Sequence, residues 1–171
     1  MVRKSLENAV QMEYKALTDD MTGAYNKNRL IELLNNRERD GQDIAVIYWD
    51  VNQLKYVNDN WGHLCGDRLI TEVAKTIQSI AREEDIVIRY GGDEFLLYVA
   101  NGTKEIAEQL IKTWKVRLEE EKKRENYEFP VSASVGYALG KHSQLKDIIA
   151  AADKDMYANK RICRESYQSK R

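Results

Sequence analysis

Apolar residues recur along this chain at helical spacing in some stretches and at strand spacing in others, and the alternation divides it into elements. Leu6, Val10, Tyr14 and Leu17, with charges between them, predict a helix over residues 1–17. The polar stretch Thr18-Asp19-Asp20-Met21-Thr22-Gly23 breaks the pattern, and a second helix follows Asn26 as N-cap and runs through Leu30, Leu33 and Leu34. Asp43 to Val51, β-branched and aromatic, is the clearest strand. A short polar helix from Asn52 to Asn60 and a break at Trp61-Gly62-His63 come next. The helix Leu64 to Ile80 then carries Leu69, Ile70, Val73, Ile77 and Ile80 in one stripe. Ile86 to Tyr90 and Phe95 to Ala100 are short strands separated by Gly91-Gly92-Asp93-Glu94, a hairpin signal. Lys104 to Arg124 is a charged helix with Ile106, Leu110, Trp114 and Leu118 inward. Val131 to Leu139, just after the only proline, Pro130, is a strand, and Leu145 to Lys160 is a final helix.

Helices followed by β-α-β-β-α-β-α predict an α/β domain with a mixed sheet and helices on its faces. At 171 residues the chain suits one domain rather than two. Lys and Arg number 27 against 28 Asp and Glu, a balance that counts against non-specific nucleic-acid binding but permits a small anionic ligand. The longest apolar run, Ile44 to Trp49, is far short of a membrane span. Met1-Val2-Arg3-Lys4 is basic without an apolar run behind it, so no signal peptide is expected. Cys65 and Cys163 fit neither a metal-ligand spacing nor a disulfide framework and read as reduced thiols. A cytoplasmic domain is expected.

Candidate chemistry lies where strands end. A right-handed crossover from the first strand through the helix 64–80 leaves the strand 86–90 parallel to it, so both finish at the same sheet edge. Asp50 closes the first strand, and Asp93 and Glu94 sit in the turn closing the second. Clustered carboxylates repel one another, and a hard divalent cation such as Mg²⁺ resolves that while sharing its other positions with water and phosphate oxygens. Gly91 and Gly92 let the backbone approach such a ligand closely. The four residues equally make a good plain hairpin turn, and Asp50 alone reads as a solvated strand end; their convergence favours a site. Beyond Asp50, Lys55 suits a phosphate, while Asn58 and Asp67 carry the amide and carboxylate that a guanine edge pairs with. Asn58 also reads as a helix C-cap, Asp67 as a first-turn acid and His63 as a capping residue.

Arg89-Tyr90-Gly91-Gly92-Asp93-Glu94-Phe95 resembles the signature of the GGDEF family, diguanylate cyclases that make cyclic di-GMP from two GTP molecules. Asp50-Val51-Asn52-Gln53-Leu54-Lys55, with Asn58-Asp59, Gly62-His63 and Gly66-Asp67, is similar to a second family block. Asp19-Asp20-Met21-Thr22-Gly23 with Tyr25-Asn26 resembles the opening block, Ser134-Val135-Gly136 the late strand, and Ala152-Asp153 with Met156-Tyr157, Lys160 and Arg164 the last helix. The departures are Asn52 for a frequent Asp, Leu54 for Phe, Cys163 for Gly, Glu165 for Asn, and Met21 and Ala24 for leucines.

The resemblance implies a mainly antiparallel sheet of about five strands, of the nucleotide-cyclase and polymerase-palm type. It implies a linker or stalk helix over residues 1–17 and the catalytic domain over 18–171. Metal (Mg²⁺ or Mn²⁺) would be held by Asp50, the Val51 carbonyl, Asp93 and Glu94. Asp93 or Glu94 would help take the hydroxyl proton, and Lys55 would steady the phosphates. Lys160 and Arg164 would clamp the triphosphate, Asn58 and Asp67 would read guanine, and His63 would line the pocket beside Gly91 and Gly92. Arg82 and Asp85 match the family's product-inhibition site, and also read as a solvated helix end. Catalysis implies a homodimer and commonly an upstream sensory domain, with a membrane anchor possible in a longer protein. A silent GTP- or cyclic di-GMP-binding sensor and a purely structural dimerisation module are the competing classes.

Overall fold

A strand that sends alternate side chains into two apolar layers needs helices on both of its faces, and this chain supplies them. The computed structural model describes residues 2–168, with side chains through residue 161. The helices are α1 (Val2–Leu17), α2 (Lys27–Asn35), α3 (Leu54–Trp61), α4 (His63–Ile80), α5 (Lys104–Glu125) and α6 (Leu145–Gln168). The strands are β1 (Asp43–Val51), β2 (Ile86–Arg89), β3 (Glu94–Ala100) and β4 (Ala133–Lys141). Ala45, Ile47, Trp49 and Val51 of β1 join Phe95, Leu97 and Val99 of β3 under α4 and α5. Ile44, Val46 and Tyr48 join Leu96, Tyr98 and Ala100 under α2 and α6. Central strands covered on both faces read as continuous apolar runs, which is why β1 was the clearest strand.

The sheet order is β2-β3-β1-β4 and every neighbouring pair is antiparallel. This corrects the expected strand count from about five to four. On the outer edge of β2 the pairing shrinks to a single parallel bridge, Tyr25 to Ile88. β1 and β2 do run in the same direction, but β3 lies between them. β4 starts at Ala133 and ends at Lys141, two residues later at each end than its own composition indicates. Its limits are those of its partner: Val51 pairs with Ala133 and Asp43 with Lys141.

Local chemistry sets the helix ends. The Asn26 side chain accepts the Asn28 N–H at 2.9 Å and caps α2. Gly62, at φ 86°, breaks the chain between α3 and α4. On β4, a Cβ at Gly136 would collide with the backbone of Met156. The missing side chain lets α6 lie directly on the strand and carries Lys160, one turn beyond Met156, over the end of β1. No residue of α1 is buried, and the helix is tied to the domain at its last turn, where Asn26 and Asn28 donate to the Ala16 carbonyl.

Candidate active site

Asp50 and Glu94 are cross-strand partners at the end of the β1–β3 ladder. Alternation puts both side chains on the α6 face. The turn is drawn in by two backbone bonds: Val51 N–H donates to the Asp93 carbonyl and Tyr90 N–H to the Glu94 carbonyl, each at 2.8 Å. Asp50, Asp93 and Glu94 therefore meet at one sheet edge, through direct antiparallel pairing rather than neighbouring parallel strands. Lys160 Nζ lies 2.6 Å from Asp50 Oδ1, with both side chains mostly buried. Tyr48, two residues before Asp50 and so on the same face, donates its hydroxyl to Glu94 Oε1 at 2.8 Å. Burial and the Glu94 charge push the Tyr48 hydroxyl far up, so it stays a donor. Burial and the Asp50 charge raise the Asp93 pKa above its ordinary value, against the pull of its own backbone, Lys160 and Arg89.

Arg89 is a partner that motif reading did not assign. Its Nη1 contacts both Asp19 oxygens, at 3.1 and 3.0 Å, and its Nη2 donates to the Gly92 carbonyl at 2.7 Å. Burial works against the Asp19 carboxylate, but hydrogen bonds from Thr22 and Arg89 outweigh it and hold its pKa below the usual range. The turn is thus gripped from both flanks, by Val51 on one side and by Arg89 on the other. The signal in the sequence was an Arg four residues before Asp93 and an unpaired Asp early in the chain.

The two glycines of the turn differ. A Cβ at Gly91 would collide with Glu94 Oε2, whereas one at Gly92 meets nothing within 4 Å and the φ there is ordinary. A side chain at the first glycine would push the Glu94 carboxylate aside, and the second leaves bare backbone facing solvent. Gly92→Ala is expected to keep the wild-type melting temperature and weaken nucleotide binding, while Gly91→Ala displaces Glu94. Thermal melts alongside nucleotide titration check this, and equal melting losses in both variants would contradict it.

At the α3–α4 corner, Asn58 is half-buried and its side chain lies across Gly66, where a Cβ would collide with Asn58 Oδ1. Its backbone carbonyl takes the Gly62 N–H at 2.9 Å, so Asn58 both closes α3 and offers its amide beside exposed Asp67. His63 is exposed at the start of α4, and Lys55 is exposed in the first turn of α3. Arg164 and Cys163 lie outside the described side chains, and Cys65 is a free thiol. Arg82 and Asp85 are together but face each other. Asp85 accepts Arg82 N, Nε and Nη2 at 2.9, 2.9 and 2.8 Å and the Ala100 N–H at 3.2 Å, and Arg82 Nη2 also donates to the Ala100 carbonyl at 2.6 Å.

Among the described residues no three His, Cys, Asp or Glu side chains are grouped closely enough to hold a metal ion. The Asp93 carboxyl, raised by burial and by the Asp50 charge, offers with Asp50 oxygen donors that still fit a hard cation keeping waters and phosphate oxygens. No helix among the described residues is long and apolar enough to cross a membrane.

The family model for the GGDEF domain of diguanylate cyclases matches residues 16–166. The chain is 33% identical over 164 residues to the probable diguanylate cyclase DgcJ of Escherichia coli K12, covering 94% of this chain and 32% of that protein. It is 34% identical over 149 residues to the cyclic di-GMP phosphodiesterase PdeR of the same organism, covering 85% of this chain and 22% of that one. The crystal structure of the coiled coil and GGDEF domain of DgcB from Caulobacter crescentus, in complex with c-di-GMP, superposes with a TM-score of 0.79 at 27% identity. That match covers 94% of this chain and 88% of the other. The chain thus spans about a third or less of the two curated relatives.

Proposed function

Because the chain belongs to the GGDEF family, we propose that it condenses two GTP molecules into cyclic di-GMP, with release of two pyrophosphates. The observation that carries this reading is the meeting of Asp50, Asp93 and Glu94 at one sheet edge, beside the bare Gly92 backbone and under Lys160. Asp50, Asp93 and the Val51 carbonyl would hold Mg²⁺ or Mn²⁺, with Glu94 in support. Such an ion, when bound, neutralises phosphate charge and aligns attacking and leaving oxygens. Asn58 and Asp67 orient the guanine, His63 lines its pocket, and Lys55, Lys160 and Arg164 take the phosphates. The 3′-hydroxyl of one GTP attacks the α-phosphorus of the other. Its proton passes to Asp93, Glu94 or solvent as the bond to the bridging oxygen breaks and pyrophosphate leaves with the electron pair.

Each copy holds one GTP, so the site is complete only in a homodimer. In this reading residues 1–17 are a stalk that joins two copies and receives a signal from an upstream sensory domain, and residues 18–171 are the catalytic unit in the cytoplasm, the compartment that holds GTP. Deleting residues 1–13 is then expected to leave the melting temperature unchanged, since nothing in α1 is buried, and to lower specific activity most at low protein concentration. A dilution series on both forms tests it. Product feedback is assigned to Arg82 and Asp85. Cyclic di-GMP would engage the Arg82 Nη1 edge, which now faces half-exposed Glu84 at 3.3 Å.

Incubation with GTP and Mg²⁺, read by mass spectrometry for cyclic di-GMP, tests the reading. The second reading, a silent GTP- or cyclic di-GMP-binding sensor, draws support from the match to part of PdeR, a protein named for a different activity. Nucleotide binding without product formation would favour it.

A further inference from the structure

On β1 the buried side chains turned toward α6 ahead of Asp50 are Ile44, Val46 and Tyr48, and only the last carries a polar atom into that apolar layer. A buried hydroxyl costs stability unless it is hydrogen-bonded. The Tyr48 hydroxyl finds its partner at the acidic edge, in Glu94 Oε1 at 2.8 Å. The ring that carries it is buried and meets the Tyr90 ring edge-on, with centroids 5.8 Å apart, and the Lys27 ammonium covers Tyr90 at 5.2 Å. Tyr90 also holds Glu94 by the backbone, its N–H donating to the Glu94 carbonyl. Glu94 is therefore fixed twice, its main chain by Tyr90 and its carboxylate by Tyr48.

The pairing tells the two Glu94 oxygens apart. Oε1 takes the hydroxyl, while Oε2 lies beside Gly91, where a Cβ would collide with it. The kind of partner also differs from those of the neighbouring acids. Asp50 is held by the Lys160 ammonium and Asp19 by the Arg89 guanidinium, ion pairs that offset the carboxylate charge. Glu94 forms no such ion pair among the described residues, and a neutral hydroxyl orients it without cancelling its charge. One oxygen fixed and the other open is what an outer hydrogen bond supplies to a carboxylate at a metal site. Resting on the cyclase reading above, we propose that Tyr48 is a positioning residue of the reaction: its hydroxyl fixes Glu94 so that Oε2 supports the Mg²⁺-bound nucleotide at the edge shared with Asp50 and Asp93.

The test measures by calorimetry how much Mg²⁺, relative to chelator, tightens binding of a GTP analogue with a methylene group between its α- and β-phosphorus. Wild type is compared with Tyr48→Phe, Glu94→Gln, the double variant and Tyr98→Phe. The last removes another buried tyrosine hydroxyl from the same layer, one bonded to His142. Circular dichroism verifies each fold. Tyr48→Phe is expected to lose about tenfold or more of the Mg²⁺-dependent gain, the scale of removing an outer partner of a metal-binding group, and to bind the analogue in chelator as wild type does. Added to Glu94→Gln it is expected to cost nothing further, because residues that act through one another are not additive. Tyr98→Phe is expected to keep the wild-type gain. An unchanged gain in Tyr48→Phe, an equal loss in Tyr98→Phe, or full additivity in the double variant would each overturn the assignment. Wild type is assayed in parallel for cyclic di-GMP. Product formation with any of those three results removes the Tyr48 assignment alone, whereas absence of product removes the cyclase reading and this inference with it.

Discussion

Asp93→Asn is expected to lower cyclic di-GMP formation by about 10²–10³-fold, on the scale of removing a group that stabilises developing charge, while leaving the domain at least as stable as wild type. The two effects have one origin. Burial and the Asp50 charge raise the folded-state pKa of Asp93 above 3.8, so folding disfavours its ionised form. For an acid shifted upward, the penalty is absent below the unfolded value, grows as pH rises toward the folded value, and is full above it. Asn removes that penalty at neutral pH and also removes a metal ligand. In chelator-treated buffer at pH 7 the variant should therefore melt at or above the wild-type temperature. Added Mg²⁺ should raise the melting temperature of wild type, through binding to the folded state only, and not that of the variant. Normal turnover by a folded Asp93→Asn would sink the assignment of this edge as the catalytic centre.

The largest stability effect is expected at Asp85→Ala. The Asp85 side chain is fully buried and accepts four hydrogen bonds that tie the turn before β2 to the end of β3. Its loss leaves the backbone N–H groups of Arg82 and Ala100 without their acceptor, at about 1–3 kcal/mol each, while Arg82 keeps Glu84 and the Ala100 carbonyl. At roughly 2–4 °C per kcal/mol for a domain of this size, a loss of about 2 kcal/mol lowers the melting temperature by about 4–8 °C. Loss of cyclic di-GMP binding in that variant would therefore say little about feedback. Arg82→Lys keeps a cation against Asp85 and gives up the planar fork. It is expected to melt closer to wild type yet lose product affinity by calorimetry, and unchanged affinity would remove the feedback site from these two residues.

Much of the fold is legible in the sequence alone. The apolar stripe of α4, the Asn26 cap, the Gly62 break and the hairpin at Gly91–Glu94 depend on residues within a few positions of one another. The spaced blocks around Asp50, Asn58 and Asp67 were readable only through their resemblance to the GGDEF family. Less legible were the residues that act through the site: Tyr48 on Glu94, Arg89 between Asp19 and Gly92, and Gly66 beneath Asn58. Nothing local marks a tyrosine in a core strand as the partner of an acid on another strand.

The acidic edge divides in the same way. Local spacing by itself determined that Asp50 lies at the end of a strand and that Asp93 sits in a tight turn, because strand periodicity and turn chemistry act over a few residues; Glu94, expected in that turn, is instead the first residue of β3. Only the tertiary structure decided that β3 lies between β1 and β2, that Asp50 faces Glu94 in register, that β4 takes its limits from β1, and that Lys160 reaches Asp50. Those outcomes come from hydrogen-bond ladders and packing between segments far apart in sequence, and each is set by the partner as much as by the segment itself.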